Sequence, residues 1–168
     1  MVEILKTRLP SCEEWDKFAV TAKEDDSLMH WLDIFTWCSD LDPETPFRWV
    51  RGGLSADFLN RDKATYRSAN VGFRPVFEVE RPDTLGPDGT IISAATLYMN
   101  GQPVKVPEKP TWDGDIPNYI PRSRLEFRES LDVPDYQVRA VKVGNILIVD
   151  RVVLKRISWK NLQRLGFC

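Results

Sequence analysis

The residues able to do chemistry are few and widely spaced. Cys12, Cys38 and Cys168 share no C-x-x-C spacing, and an odd number leaves at least one unpaired. The pattern reads as reduced thiols rather than as a disulfide framework or a zinc site. His30 is the only histidine, which excludes a two-histidine metal site within one chain. It follows the acidic run Glu24-Asp25-Asp26, but a general base needs a nucleophile or second partner, and the sequence identifies neither. Asp113 and Asp115 flank Gly114 in the manner of a metal loop, yet two carboxylates in a proline-rich turn are common without any ion. No catalytic residue, metal or cofactor is expected.

Charge offers recognition instead. The net charge of −2 conceals two opposed blocks. Residues 11–45 carry ten acids against two lysines, a net −8, and residues 138–168 carry seven bases against one acid, a net +6. Such blocks either face each other in the fold or present recognition surfaces. The acids Glu13, Asp16, Glu24, Asp25 and Asp26 are the candidates for contact with a basic partner. Lys155, Arg156, Lys160 and Arg164, with Trp159 among them, form a weaker candidate for nucleic acid. An overall pI near 5.5 and the lack of a recognisable nucleic-acid-binding motif rank that reading below protein binding.

The elements that must position these residues carry clear local signals. Ser11-Cys12-Glu13-Glu14 is a capping box, and Trp15, Phe18, Ala19 and Ala22 follow at helical spacing, predicting a helix that stops near Lys23. The second half of Trp31–Cys38 reads as strand, Asp40–Pro46 as loop, and Arg48–Arg51 as strand ending at Gly52-Gly53. Val71–Val79 alternates like one strand, with Pro75 marking an edge or bulge. Arg81–Gly89 breaks the pattern and is the candidate domain boundary. Beyond it, Asn100-Gly101 suits a type I′ hairpin turn between Thr90–Tyr98 and Pro103–Val106. A proline-rich connection follows, and Gly144-Asn145 signals a second hairpin between Tyr136–Val143 and Ile146–Leu154. Ser158 caps a short terminal helix, Trp159–Leu165, closed by Gly166.

Three segments taken in order carry a resemblance. Arg8-Leu9-Pro10-Ser11-Cys12-Glu13-Glu14-Trp15, Arg51-Gly52-Gly53 and Asn70-Val71-Gly72-Phe73-Arg74-Pro75 resemble the R-L-P-[ST]-x-x-E-W, R-G-G-[SL] and [VI]-G-F-R segments of one family. That family is the C-type-lectin-like fold of the formylglycine-generating enzymes (sulfatase-modifying factors). The resemblance covers residues 8–78, with a shortened loop before the last segment. In the enzymes, a cysteine pair between the second and third segments handles copper and oxygen. Leu54 to Val71 contains no cysteine, so the resemblance implies the scaffold without the oxidase activity. The family's calcium ligands find no matching positions. In phage and prophage receptor-binding relatives the stretch after R-G-G contacts the ligand. By that resemblance Phe58, Arg61 and Tyr66 are candidate partner-binding residues, of types that dominate interface energetics.

The expectation is an α+β protein. A minimal C-type-lectin-like module at 1–80 is followed by a β-rich unit at 81–168 with a short C-terminal helix. It is expected to be a non-catalytic protein-binding protein of phage or mobile-element type, in its most concrete form an anti-CRISPR inhibitor of a Cas nuclease. The rivals are a receptor- or glycan-binding lectin-like module and a divergent redox enzyme, which would need Cys12 and Cys38 close together. No apolar run approaches the roughly 18 residues of a membrane helix, and Met1–Lys6 has no signal-peptide layout, so a cytoplasmic location without membrane contact is expected.

Overall fold

The computed structural model describes residues 2–24, 35–41, 47–52, 59–68, 71–108 and 115–168. The first helix, α1 (Cys12–Lys23), forms where local chemistry requires it. The Ser11 hydroxyl accepts from the Glu14 N–H at 3.1 Å, and the Glu14 carboxylate accepts from the Ser11 N–H at 2.9 Å. Two backbone donors at the helix start are thereby satisfied. Trp15, Phe18, Ala19 and Ala22 are buried against Val76, Val141, Val143 and Ile148. The mirror arrangement closes the chain. Ser158 and Asn161 form a second capping box at α2 (Trp159–Arg164), and Gly166, at φ +90°, lets the chain leave the helix.

Two sheets accompany the helices. The strands of the first are β1 (Ile4–Arg8), β6 (Val76–Val79), β11 (Ile146–Val149), β10 (Val138–Val143), β7 (Ile91–Met99), β8 (Gln102–Pro103) and β9 (Leu125–Arg128). They are antiparallel in the order β1-β6-β11-β10-β7, and the second half of β7 also pairs β8 and β9. The second sheet runs β12 (Leu154–Lys155), β5 (Val71–Phe73), β2 (Phe35–Leu41), β3 (Phe47–Arg51), β4 (Leu59–Lys63), with β2 and β5 parallel. The chain is α+β, mostly strand with two short helices.

Two strand pairs cross from one sheet to the other side by side. Residues 71–79, expected as one strand, divide at Arg74-Pro75 into β5 and β6. Residues 146–154 divide likewise at Asp150–Val153 into β11 and β12. Proline supplies no N–H for a ladder, so the strand is free to turn there. The two bends are stitched by Val149 N–H to Pro75 O at 3.0 Å and Val153 N–H to Phe73 O at 2.9 Å. Gly72 is required beside them: a Cβ there would collide with Val152 and stand 2.5 Å from the Leu154 carbonyl oxygen. The 80/81 boundary lies on the connection from β6 to β7. Strands from either side of it pair in both sheets, β6 with β11 and β5 with β12, and one apolar cluster draws Leu9, Trp37 and Phe73 together with Leu97, Leu147 and Phe167.

Other local expectations meet the structure as follows. Asn100 and Gly101 both have positive φ, as a type I′ turn demands, but β8 stops at Pro103. Asp40 and Leu41 belong to β2 rather than to a loop. Leu125–Arg128 was expected only as connection and is strand β9, because pairing with Thr96–Met99 supplies an order that its own sequence does not announce.

Candidate functional site

The N-terminal end of α1 meets β2 and β3. Two backbone links fix this junction: Ser39 N–H donates to Pro10 O at 2.8 Å, and Cys12 N–H donates to Asp40 Oδ1 at 2.7 Å. Trp159 Nε1 donates to the Cys38 carbonyl at 3.1 Å and Trp37 Nε1 to the Ile157 carbonyl at 2.9 Å, pinning β2 against the C-terminal helix. The consequence is that Cys12, the first residue of α1, and Cys38, within β2, are brought near each other, with the Cys38 Sγ 3.9 Å from the Thr36 carbonyl. Nothing in their spacing announces this.

The two thiols are not equivalent. Cys12 is half-buried and Cys38 fully buried. The hydrogen bond from Cys38 lowers the Cys12 thiol below its ordinary value; burial and Asp40 oppose that shift, and Arg51 supports it. The same bond raises Cys38 well above its ordinary value, and burial adds to the rise. Arg51 is nearly buried and donates through Nη2 to Asp16 Oδ1 at 2.5 Å, while its Nε finds no acceptor among the described residues. Cys12 thus sits at a helix start, within the field of a guanidinium and near a second thiol. These are the surroundings that favour a thiolate. Cys168 differs: burial raises its thiol to about 12, and its sulfur rests 4.0 Å from the Trp159 carbonyl.

The residues proposed for partner contact separate into groups. Glu13, Asp16 and Glu24 are exposed along α1 and share its outward side with Val20, which is 64% exposed. Glu13 pairs with Lys17 at 3.5 Å, and Asp16 with Arg51. Glu14, by contrast, turns inward to Arg8, with both carboxylate oxygens engaged at 2.6 and 2.7 Å. Asp25, Asp26, Phe58 and the side chain of Arg61 lie outside the described residues. So do His30, Asp113 and Gly114. Asp115 accepts from the Glu108 N–H at 2.8 Å. Tyr66 is 44% exposed.

Arg156, Lys160 and Arg164 are exposed, and Lys155 is partly buried. The first three form no ion pair with the described acids of residues 11–24. Arg67 joins this basic end of the chain, donating through Nε to the Arg156 carbonyl at 2.9 Å and through Nη2 to the Tyr119 carbonyl at 3.3 Å. Lys160 N–H donates to the Ala64 carbonyl, which sets residues 64–68 alongside 156–160.

The three segments behind the family resemblance meet on α1. Arg8 grips Glu14, Arg51 grips Asp16, and the Arg74 guanidinium lies 5.0 Å from the Trp15 ring and 5.1 Å from the Phe18 ring. Arg74 is fully buried and donates to Thr36 Oγ1 and to the Val149 carbonyl. These arginines brace the scaffold, as charge-assisted bonds from a planar donor can. Among the described residues no group of three or more histidine, cysteine, aspartate or glutamate side chains is placed to hold a metal ion, and no helix is long and apolar enough to cross a membrane. Comparison with family profiles, curated proteins and solved structures gave no match.

Proposed function

We propose that this chain is a non-catalytic binding protein of phage or mobile-element type, built on a compressed C-type-lectin-like scaffold over residues 8–78. The convergence of Arg8, Arg51 and Arg74 on α1 supports the scaffold reading. The observation that carries the binding reading is the outward side of α1, where exposed Val20 stands four residues from exposed Asp16 and Glu24, with the Glu13–Lys17 pair beyond them. An apolar centre with a charged rim is the anatomy of an interface, and the sign of the rim selects a basic partner. The concrete partner is the basic nucleic-acid channel of a Cas nuclease, which the acids occupy in place of phosphates.

The test pairs co-purification with a guided cleavage assay. The chain is expected to co-elute with the Cas effector and to suppress cleavage, and Glu13→Lys with Glu24→Lys is expected to abolish both effects. Unchanged cleavage across the effectors tried would remove this partner class. A receptor- or glycan-binding reading has exposed Tyr66 in its favour, and a thiol-redox reading has the Cys12–Cys38 contact.

A further inference from the structure

We infer that Cys12 and Cys38 form a thiol–disulfide exchange site, in which Cys12 first attacks a low-molecular-weight disulfide and Cys38 resolves the adduct into an intrachain cross-link. The inference rests on the junction of α1 with β2 and is independent of the partner proposed for the acidic side of α1.

Four observations carry it. Backbone bonds from Ser39 to Pro10 and from Cys12 to Asp40 hold the two segments together whether or not the thiols react. The two thiols lie on the segments these bonds join and are near enough to shift each other in opposite directions. Their exposure is unequal in the useful sense, since Cys12 is reachable from solvent and Cys38 is sealed. Arg51, nearly buried and with an orphaned Nε, supplies positive charge on the acidic side of a site that Asp40 would otherwise make wholly negative. The helix start adds to that positive field at Cys12.

The chemistry balances without a further reactant. The Cys12 thiolate attacks one sulfur of the small disulfide, a mixed disulfide forms on Cys12, and the other half leaves as a thiolate. That thiolate takes the proton of Cys38. The Cys38 thiolate then attacks the Cys12 sulfur, forming the Cys12–Cys38 bond and expelling the second half as a thiolate, which is protonated by water. Two protein thiols are oxidised and one small disulfide is reduced to two thiols. The high value of the Cys38 thiol keeps it protonated until the adduct removes the negative charge from Cys12, which orders the two steps.

The experiment uses the full chain carrying Cys168→Ser, so that the third thiol does not contribute. Treated with 5,5′-dithiobis(2-nitrobenzoate), the folded protein is expected to release two nitrothiobenzoate ions while retaining no adduct. A peptide map is expected to show residues 12 and 38 joined. Adding Cys38→Ser is expected to give one ion released and one stable adduct on Cys12, and in the unsubstituted chain Cys12 should be alkylated at least about ten-fold faster than Cys168. Retention of an adduct by the Cys168→Ser chain, or no release from it while folded, overturns the proposal. That result stands on a chain changed only at its last residue, so misfolding of the double variant would not obscure it.

Discussion

Two of the places where charge enters the interior among the described residues are built differently. At the paired bends between the sheets, Asp150 is fully buried and held by both arms of Arg151 at 2.8 and 2.9 Å, while Arg139 reaches it at 3.3 Å. Arg151 spends its remaining arm on the Pro107 carbonyl at 2.7 Å, and burial lowers Arg74 to about 9 against the favourable field of Asp150. No buried side-chain nitrogen or oxygen of Arg74, Asp150 or Arg151 is left without a partner. At the α1–β2–β3 junction, Arg51 keeps an orphaned donor, its partner Asp16 is largely exposed, and two thiols of unequal character influence each other. Burial of charge does not by itself make a site. Access, incomplete pairing and groups that can change state make one, and of these two places the junction combines them.

Substitution can test this contrast directly. Asp150→Ala leaves Arg74, Arg139 and Arg151 facing one another without their shared anion, and is expected to cost about 3–5 kcal/mol in urea unfolding. A loss under about 1 kcal/mol would show the bends to be tolerant, and the comparison would fail. Gly72→Ala acts at the same bends through sterics and is expected to cost about 1–3 kcal/mol, with Gly101→Ala as a control at a position where space is open but φ is positive.

The junction is expected to respond more weakly, and to pH. Burial would raise the Glu14 carboxyl, but bonds from Arg8 and the Ser11 backbone outweigh it and hold the group below its ordinary 4.5. Because the folded value is the lower one, this stabilisation is complete above pH 4.5 and disappears as pH falls through the folded value. Urea midpoints from pH 7 to pH 3 are expected to fall less steeply for Glu14→Gln than for the unchanged chain; parallel falls would assign acid sensitivity elsewhere. Cys12→Ser sets the lower end of the range, with stability expected within about 0.5 kcal/mol of the parent while thiol exchange is lost. A large loss of stability would make Cys12 a packing residue rather than a reactive one.

What could be read before folding follows the range of the interactions. The capping box at Ser11, the helix cap at Ser158 and the Asn100-Gly101 turn are settled within four or five residues, and each stands where its sequence signal placed it. The division of 71–79 was signalled by Pro75 only as an irregularity, since assigning its two pieces to different sheets takes partners some seventy residues away. Asp40 looked like a turn former because aspartate usually is one. Its place in β2 becomes intelligible only once its carboxylate receives the Cys12 N–H. A redox reading requires Cys12 and Cys38 to lie close together, yet no local pattern links residue 12 to residue 38. That information is tertiary.

The twin bends have a mechanical consequence. Because β5 continues into β6, and β11 into β12, a fluctuation that frees Phe73 from Leu154 also loosens Val76 from Ile148 through only a few bonds of backbone. The sheets are hinged to each other along a double seam, and opening either one strains both hinges. Amides of β5 and β6 should therefore exchange with deuterium at a common free energy, in a single cooperative step rather than one sheet after the other.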